Sequence, residues 1–331
     1  MKTIGIIGGG AWGTALAQAQ ATAGRKVTLW AREPEIVESI NTQRENISFL
    51  PGIKLDKGVT ATGSLTDAAN NDIILVVTPA QHVRTTLQSL KGDSVADGKL
   101  FVICAKGIEI NTGSLMSQVA KDILPTASMA IMTGPTFASE IARGLPGGLT
   151  IACADKEVGM GLVDGLSSRT FRTYLTDDVL GAQIGGAVKN VIAIAAGVIY
   201  GRGMGDSARA ALVTRGLAEM ARLASAMGAK KETLMGMCGM GDLILTCSSM
   251  QSRNFSLGVQ MGEGKSIDEI LGARKSVTEG VTTAKALVVM AKNNAVDMPI
   301  SAAVNGCLSD GASIEETIER MLDRPMKMEA A

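Results

Sequence analysis

Ile4-Gly5-Ile6-Ile7-Gly8-Gly9-Gly10-Ala11-Trp12-Gly13-Thr14-Ala15-Leu16-Ala17 is the stretch that decides the fold. An uncharged apolar run reads as a buried strand, and Gly8, Gly10 and Gly13 then form a G-x-G-x-x-G turn. Ala11–Ala21 continues as a helical run. A lone glycine pattern is a weak signal, and a merely flexible turn is its bland explanation. A strand before it and a helix after it make the pattern specific for a dinucleotide-binding βαβ unit. The glycines permit a tight turn and let the backbone approach a pyrophosphate at the helix N-terminus, where free N–H groups and the helix dipole favour an anion.

Working outward, strands are expected at Ile4–Ile7, Val27–Trp30, Ile73–Val77, Leu100–Cys104, Ala130–Met132, Leu149–Ala152 and Phe171–Tyr174. The middle ones are continuously apolar, as in a parallel sheet covered on both faces. Their alternation with helical segments predicts a doubly wound α/β sheet of the Rossmann type. Beyond Gly181 the strand signal stops. Helices are expected at Ala182–Ile199, Ser207–Met227, Ser266–Leu271, Thr278–Asn293 and Ser313–Leu322, separated by glycine clusters. The chain therefore divides into a dinucleotide-binding domain, 1–184, and an all-helical substrate-binding domain, 185–331.

The 331 residues exceed what one hydrophobic core usually organises, and 46% hydrophobic content with eight prolines fits a packed globular protein. Thirty-two basic residues balance thirty-two acidic ones, so no global field favours nucleic acid or an acidic membrane. Aromatic residues are only 3% of the chain, too few for a base-stacking platform. Five scattered cysteines without a C-x-x-C predict neither a disulfide framework nor a metal site. The longest apolar stretch, Val191–Tyr200, is shorter than a membrane span requires. A cytoplasmic protein without membrane insertion is expected.

The end of the second expected strand reads Trp30-Ala31-Arg32-Glu33. Arg32 stands where an arginine accepts a ribose 2′-phosphate, and Glu33 where an acid takes ribose hydroxyls. The order leans to NADP and leaves NAD open, and Arg32 solvating a strand end is a serious competitor. The single histidine, His82, reads as a helix-start residue, so another group must move protons. Lys189 is the candidate, on a helix apolar almost all round. Burial there lowers a lysine's pKa toward the range useful for proton transfer. A lysine snorkelling to the surface is the commoner case, but Asn190 and the Gly185-Gly186 pair favour function, with Gly185 expected to leave room for substrate.

Lys106 follows the Leu100–Cys104 strand, at the carboxyl edge where doubly wound sheets bind ligands, and could polarise a carbonyl oxygen. Gly134-Pro135-Thr136-Phe137-Ala138 offers N–H groups and a hydroxyl at the same edge; plain turn chemistry would account for either segment. Asp242 and Thr246, one helical turn apart, could bind substrate hydroxyls, although an Asp-capped glycine loop gives the same pattern. Ser252-Arg253-Asn254 begins a helix with an arginine that opposes the dipole unless an anion sits there. The substrate is thus expected to carry a phosphate.

Together these strings resemble the bacterial NAD(P)-dependent sn-glycerol-3-phosphate dehydrogenase family over nearly the whole chain. The resemblance rests on the glycine turn, Ala105-Lys106-Gly107, Gly134-Pro135-Thr136-Phe137-Ala138, Gly186-Ala187-Val188-Lys189-Asn190, Gly241-Asp242-Leu243, Ser252-Arg253-Asn254 and Val277-Thr278-Glu279-Gly280. It implies reduction of dihydroxyacetone phosphate to sn-glycerol 3-phosphate, feeding phospholipid synthesis. Lys189 would exchange the proton, with Lys106 at the carbonyl. Gly134, Thr136, Asp242, Ser252, Arg253 and Asn254 would hold the substrate. Gly8, Gly10, Ala11, Trp12, Gly13, Arg32, Lys106, Ala138, Arg253, Val277 and Glu279 would surround NADP or NAD. Ala11 stands where serine is frequent in the family, which removes one hydroxyl contact. A lysine-dependent dehydrogenase of a 3-hydroxy acid or phosphogluconate, and a non-catalytic NADPH sensor, stay open at this point. A homodimer is compatible with all three.

Overall fold

The computed structural model describes residues 2–92, 98–274 and 277–325. Strands β1 (Ile4–Ile7), β2 (Val27–Trp30), β3 (Val59–Thr62), β4 (Ile73–Val76), β5 (Leu100–Ile103), β6 (Ser128–Thr133), β7 (Gly147–Ala152) and β8 (Phe171–Thr176) form one sheet in the order 3-2-1-4-5-6-7-8. Helices α1 (Ala11–Thr22), α2 (Pro34–Glu38), α3 (Leu65–Ala69), α4 (Val83–Gln88), α5 (Met116–Ile123), α6 (Ala138–Ala142) and α7 (Lys156–Leu166) accompany it. β1 and β4 are buried at every residue, which explains why they carry no polar alternation.

Two sequence expectations need correction. The strand β3 was not anticipated. Its four residues, Val59-Thr60-Ala61-Thr62, carry two threonines on an edge strand whose second residue is exposed, so it has little apolar signal. β7, read as one more parallel strand, runs antiparallel to β6. The connecting α6 packs against α1, with Ala142 and Ala138 meeting Ala15 and Trp12. The chain thus stays at the edge where β6 ended and re-enters the sheet from there. β8 then restores parallel pairing, with β7.

From Val179 onward the described residues are helical: α8 (Val179–Gly201), α9 (Asp206–Ala226), α10 (Lys231–Leu234), α11 (Asp242–Ser248), α12 (Arg253–Gly262), α13 (Ile267–Gly272), α14 (Glu279–Asn293), α15 (Pro299–Ser309) and α16 (Ile314–Leu322). Residue 184 falls inside α8, which starts where Asp178 caps it by accepting a hydrogen bond from the Gly181 N–H at 2.9 Å. Of α11 and α15, the first was anticipated only in the one-turn spacing of Asp242 and Thr246, and the second was not foreseen. One follows a glycine-rich π-turn, Met237–Gly241, and the other begins at Pro299 and is built largely of small residues.

α8 is long and apolar enough to cross a bilayer, contrary to the expectation drawn from its longest apolar run, yet 89% of its apolar window is buried inside the protein. α9, α11, α12 and α14 pack around it. The approach of α12 is closest. A Cβ on Gly197 would stand 2.2 Å from the Phe255 carbonyl oxygen, and one on Gly258 would stand 2.0 Å from that of Ile194. Only glycine allows this backbone contact, and it seats α12 on the C-terminal half of α8.

Candidate active site

Lys106 follows β5 and Gly134 follows β6, both at the carboxyl edge of the sheet. α8 carries Lys189 toward that edge, and α11 delivers Asp242 and Thr246. The Asp242 carboxylate lies between the two lysines. Its Oδ1 accepts from Lys189 Nζ at 2.7 Å and its Oδ2 from Lys106 Nζ at 2.6 Å. Lys189 Nζ also donates to Thr246 Oγ1 at 2.7 Å, and Lys106 Nζ to the Gly134 carbonyl at 3.1 Å. Thr246 spends its own proton on the Asp242 carbonyl at 2.6 Å, which leaves its lone pair to Lys189. Each ammonium has three donors, and each has one without a partner among the described residues.

Lys189 is only 7% exposed and Asp242 1%. Burial is the largest influence on the Lys189 ammonium and lowers its pKa to about 8, with Asp242 opposing that shift and the Lys106 charge reinforcing it. The lysine is therefore mostly charged at pH 7 but close to its midpoint. Such a group can donate or accept a proton near neutrality. Asp242 and Thr246, read as substrate-hydroxyl ligands, are in this structure the hydrogen-bond partners of Lys189.

A second layer links the helices. Asn254 Nδ2 donates to Asn190 Oδ1 at 2.9 Å, and Asn254 Oδ1 accepts from the Gly280 N–H at 2.9 Å. Glu279 Oε1 accepts from the Ala80 N–H at 3.3 Å, tying the start of α14 to the loop after β4. Burial pushes the Glu279 carboxyl up, and the Arg253 charge pulls it back. Ser252 caps α12 by accepting from the Phe255 N–H at 3.2 Å, with Arg253 exposed beside it.

Gly185 does not leave room for substrate. A Cβ there would meet the Cys238 carbonyl oxygen at 2.4 Å, so this glycine admits the turn that leads into α11. Its neighbour Gly186 is the one facing the site, where a Cβ would lie 2.9 Å from Thr133 Oγ1 and 3.5 Å from Lys106 Cγ. His82 lies exposed at the start of α4 with no hydrogen bond to either lysine among the described residues.

At the glycine turn, Gly8 has φ +133°, and a Cβ on Gly13 would fall 1.9 Å from the Gly8 carbonyl oxygen. Gly10 caps α1 with nothing within 4 Å of a Cβ position, so the helix N-terminus is open to a ligand. These residues fit a pyrophosphate. Trp12 and Ala138 lie together against Ala15 and Ala142, beside that turn. Thr136 and Gly134 sit at the neighbouring edge, and Val277 is exposed at the approach to α14. Arg32 and Glu33, weighed as rivals for the ribose, are a pair. Arg32 Nε and NH2 both donate to Glu33 Oε1, at 3.1 and 2.8 Å, with the arginine side chain 79% exposed.

A doubly wound sheet with this glycine turn, followed by helices that bring a buried lysine to the sheet's carboxyl edge, defines a dinucleotide-dependent dehydrogenase architecture. Comparison with known proteins narrows the class. Residues 3–159 match the model of the NAD-dependent glycerol-3-phosphate dehydrogenase N-terminus, and residues 178–319 match that of its C-terminus. The chain belongs to the NAD-dependent glycerol-3-phosphate dehydrogenase family. A glycerol-3-phosphate dehydrogenase (NAD(P)+) of Parvibaculum lavamentivorans is 51% identical over 328 residues, 99% of this chain and 98% of that one. The crystal structure of a glycerol-3-phosphate dehydrogenase from Coxiella burnetii has a TM-score of 0.92 at 33% identity, covering 98% of this chain and 99% of that one. A ketopantoate reductase from Ralstonia eutropha, 16% identical with a TM-score of 0.61 over 97% of this chain and 99% of that one, shares the fold alone.

Proposed function

We propose that this chain interconverts dihydroxyacetone phosphate and sn-glycerol 3-phosphate with NAD(P)H, in the cytoplasm, and so supplies glycerol 3-phosphate for phospholipid synthesis. The observation that carries the proposal is the Lys106–Asp242–Lys189 bridge at the carboxyl edge of the sheet, with Asp242 and Lys189 buried and Lys106 partly exposed. NAD(P)H, whose pyrophosphate the glycine turn would hold, would supply the hydride that the carbonyl carbon accepts. The carbonyl π pair moves to oxygen, and Lys189 gives that oxygen its proton and becomes a neutral amine. Lys106 lends its uncommitted N–H to the same oxygen as negative charge grows there. In the reverse direction neutral Lys189 takes the proton from the alcohol. Asp242 keeps Lys189 charged and oriented, and Thr246 fixes the second of its donors.

Gly134, Thr136, Ser252, Arg253 and Asn254 hold the substrate, with the phosphate at the start of α12, and Asp242 serves the same site through the two lysines it binds. Gly8, Gly10, Ala11, Trp12, Gly13, Arg32, Lys106, Ala138, Arg253, Val277 and Glu279 surround the cofactor. In this reading 1–184 binds the dinucleotide and 185–331 the substrate.

The phosphate assignment has a direct test. Arg253→Ala is expected to lose at least tenfold in kcat/KM for dihydroxyacetone phosphate, from a charged hydrogen bond worth about 1.5–3 kcal/mol. Its rate should approach that with unphosphorylated dihydroxyacetone, while NADPH is affected far less. A variant that discriminates between the two ketones as sharply as wild type places the phosphate elsewhere.

For the cofactor we infer a lean to NADPH, through Arg32 and the 2′-phosphate. Glu33 already engages that guanidinium and its site is exposed, so the preference should be modest, about one to two orders of magnitude, and should shrink with salt. Arg32→Asp is expected to reverse the ratio of specificity constants for NADPH and NADH. A ratio unchanged by the mutation removes Arg32 from the ribose site and makes Glu33 the residue to test.

A further inference from the structure

Arg274 lies between α13 and α14 and was not singled out by any sequence signal. Its guanidinium spans two segments that the proposed reaction needs in register. NH1 donates to the Arg253 carbonyl at 2.6 Å and to Thr278 Oγ1 at 3.2 Å, and NH2 donates to Ser256 Oγ at 3.1 Å. Two of these acceptors belong to the first turn of α12, the proposed seat of the substrate phosphate. The third, Thr278, is the N-cap of α14 and lies between Val277 and Glu279, the proposed cofactor strip.

Electrostatics argues against a passive surface contact. Burial and the neighbouring Arg253 charge both lower the Arg274 pKa. Neither arginine makes an ion pair with a carboxylate among the described residues. Two cations at the positive end of α12 carry an electrostatic cost that a bound phosphate would offset. The planar fork of arginine reaches acceptors farther apart, and in a more rigid geometry, than the three donors on a single lysine nitrogen.

We propose that Arg274 is a positioning residue that locks the first turn of α12 to the Val277–Glu279 strip, so that the phosphate site and the cofactor site are set by one side chain. The inference rests on the functional reading above. Arg274 touches neither substrate nor cofactor itself. It acts through the Arg253 backbone and through Thr278.

The test compares wild type with Arg274→Ala and Arg274→Lys in steady-state kinetics with dihydroxyacetone phosphate and NADPH. Arg274→Ala is expected to raise both KM values about tenfold while kcat stays within about threefold, the scale of one charged hydrogen-bond set. Arg274→Lys should not restore either KM. In the Arg253→Ala background, Arg274→Ala should add little to the KM for the ketone yet still raise that for NADPH. Should Arg274→Ala not fold, Ser256→Ala and Thr278→Val each remove one acceptor. The first should raise the KM for the ketone and the second that for NADPH, each about twofold to threefold. KM values that stay at wild-type level, rescue by lysine, or full additivity with Arg253→Ala each overturn the proposal. A wild-type enzyme that leaves dihydroxyacetone phosphate untouched counts against the reaction itself, and unchanged KM values in an active variant count against Arg274 alone.

Discussion

Lys189→Ala is expected to lower turnover by about 100-fold or more, the scale of acid–base catalysis, while NADPH still binds. The expectation follows from the lysine's surroundings. Burial brings its pKa to about 8, and Asp242 and Thr246 take two of its donors. The third N–H is left for substrate oxygen. In wild type the reduction should weaken as pH rises through about 8, because the ammonium is the donor, and the oxidation should strengthen over the same range. Both limbs should vanish from the variant's residual activity. A variant with near-normal turnover, or with the same pH limbs, removes Lys189 from the mechanism.

Asp242→Asn should have the second large effect, on activity and stability together. The substitution leaves two lysines sharing one buried space without the carboxylate that lies between them. Breaking a buried ion pair from one side costs about 3–5 kcal/mol, and here part of the strain can be relieved if Lys189 loses its proton. Asp242 is what raises the lysine's pKa against burial, so in the variant it should fall well below about 8. The reduction limb should then move to lower pH by about one unit or more, a unit being worth about 1.4 kcal/mol.

The sign for stability follows from linkage. A lysine whose folded pKa is depressed below its unfolded value destabilises the fold fully at low pH and ceases to do so as pH rises past the folded pKa toward the unfolded one. The variant's Tm deficit relative to wild type should therefore be larger at pH 6 than at pH 9. Equal deficits at both, with an unmoved kinetic limb, would show that Asp242 does not govern the charge on Lys189.

Much of this was legible before any coordinates. The first βαβ unit could be read because the glycine spacing and the flanking strand and helix agree. Lys189's burial was legible because α8 is apolar on every side of it. What binds Lys189 was not, since Asp242 lies 53 residues away and joins Lys106 across 136 residues. No local pattern encodes that distance. Gly185 was misread because a glycine beside a functional residue serves ligand or backbone equally well, and only packing decides. β3 was missed for its threonines, and the reversal of β7 depends on how α6 packs against α1. Arg274 gave no signal at all, because its importance lies wholly in which acceptors the fold brings within its reach.

The central claim is tested most directly by following NADPH absorbance when dihydroxyacetone phosphate is added to the purified protein, with unphosphorylated dihydroxyacetone as the comparison. The account predicts a fall in absorbance with the phosphorylated ketone, much slower oxidation with the other, and loss of the signal in Lys189→Ala. Steady absorbance with dihydroxyacetone phosphate, or equal rates with both ketones, would contradict it.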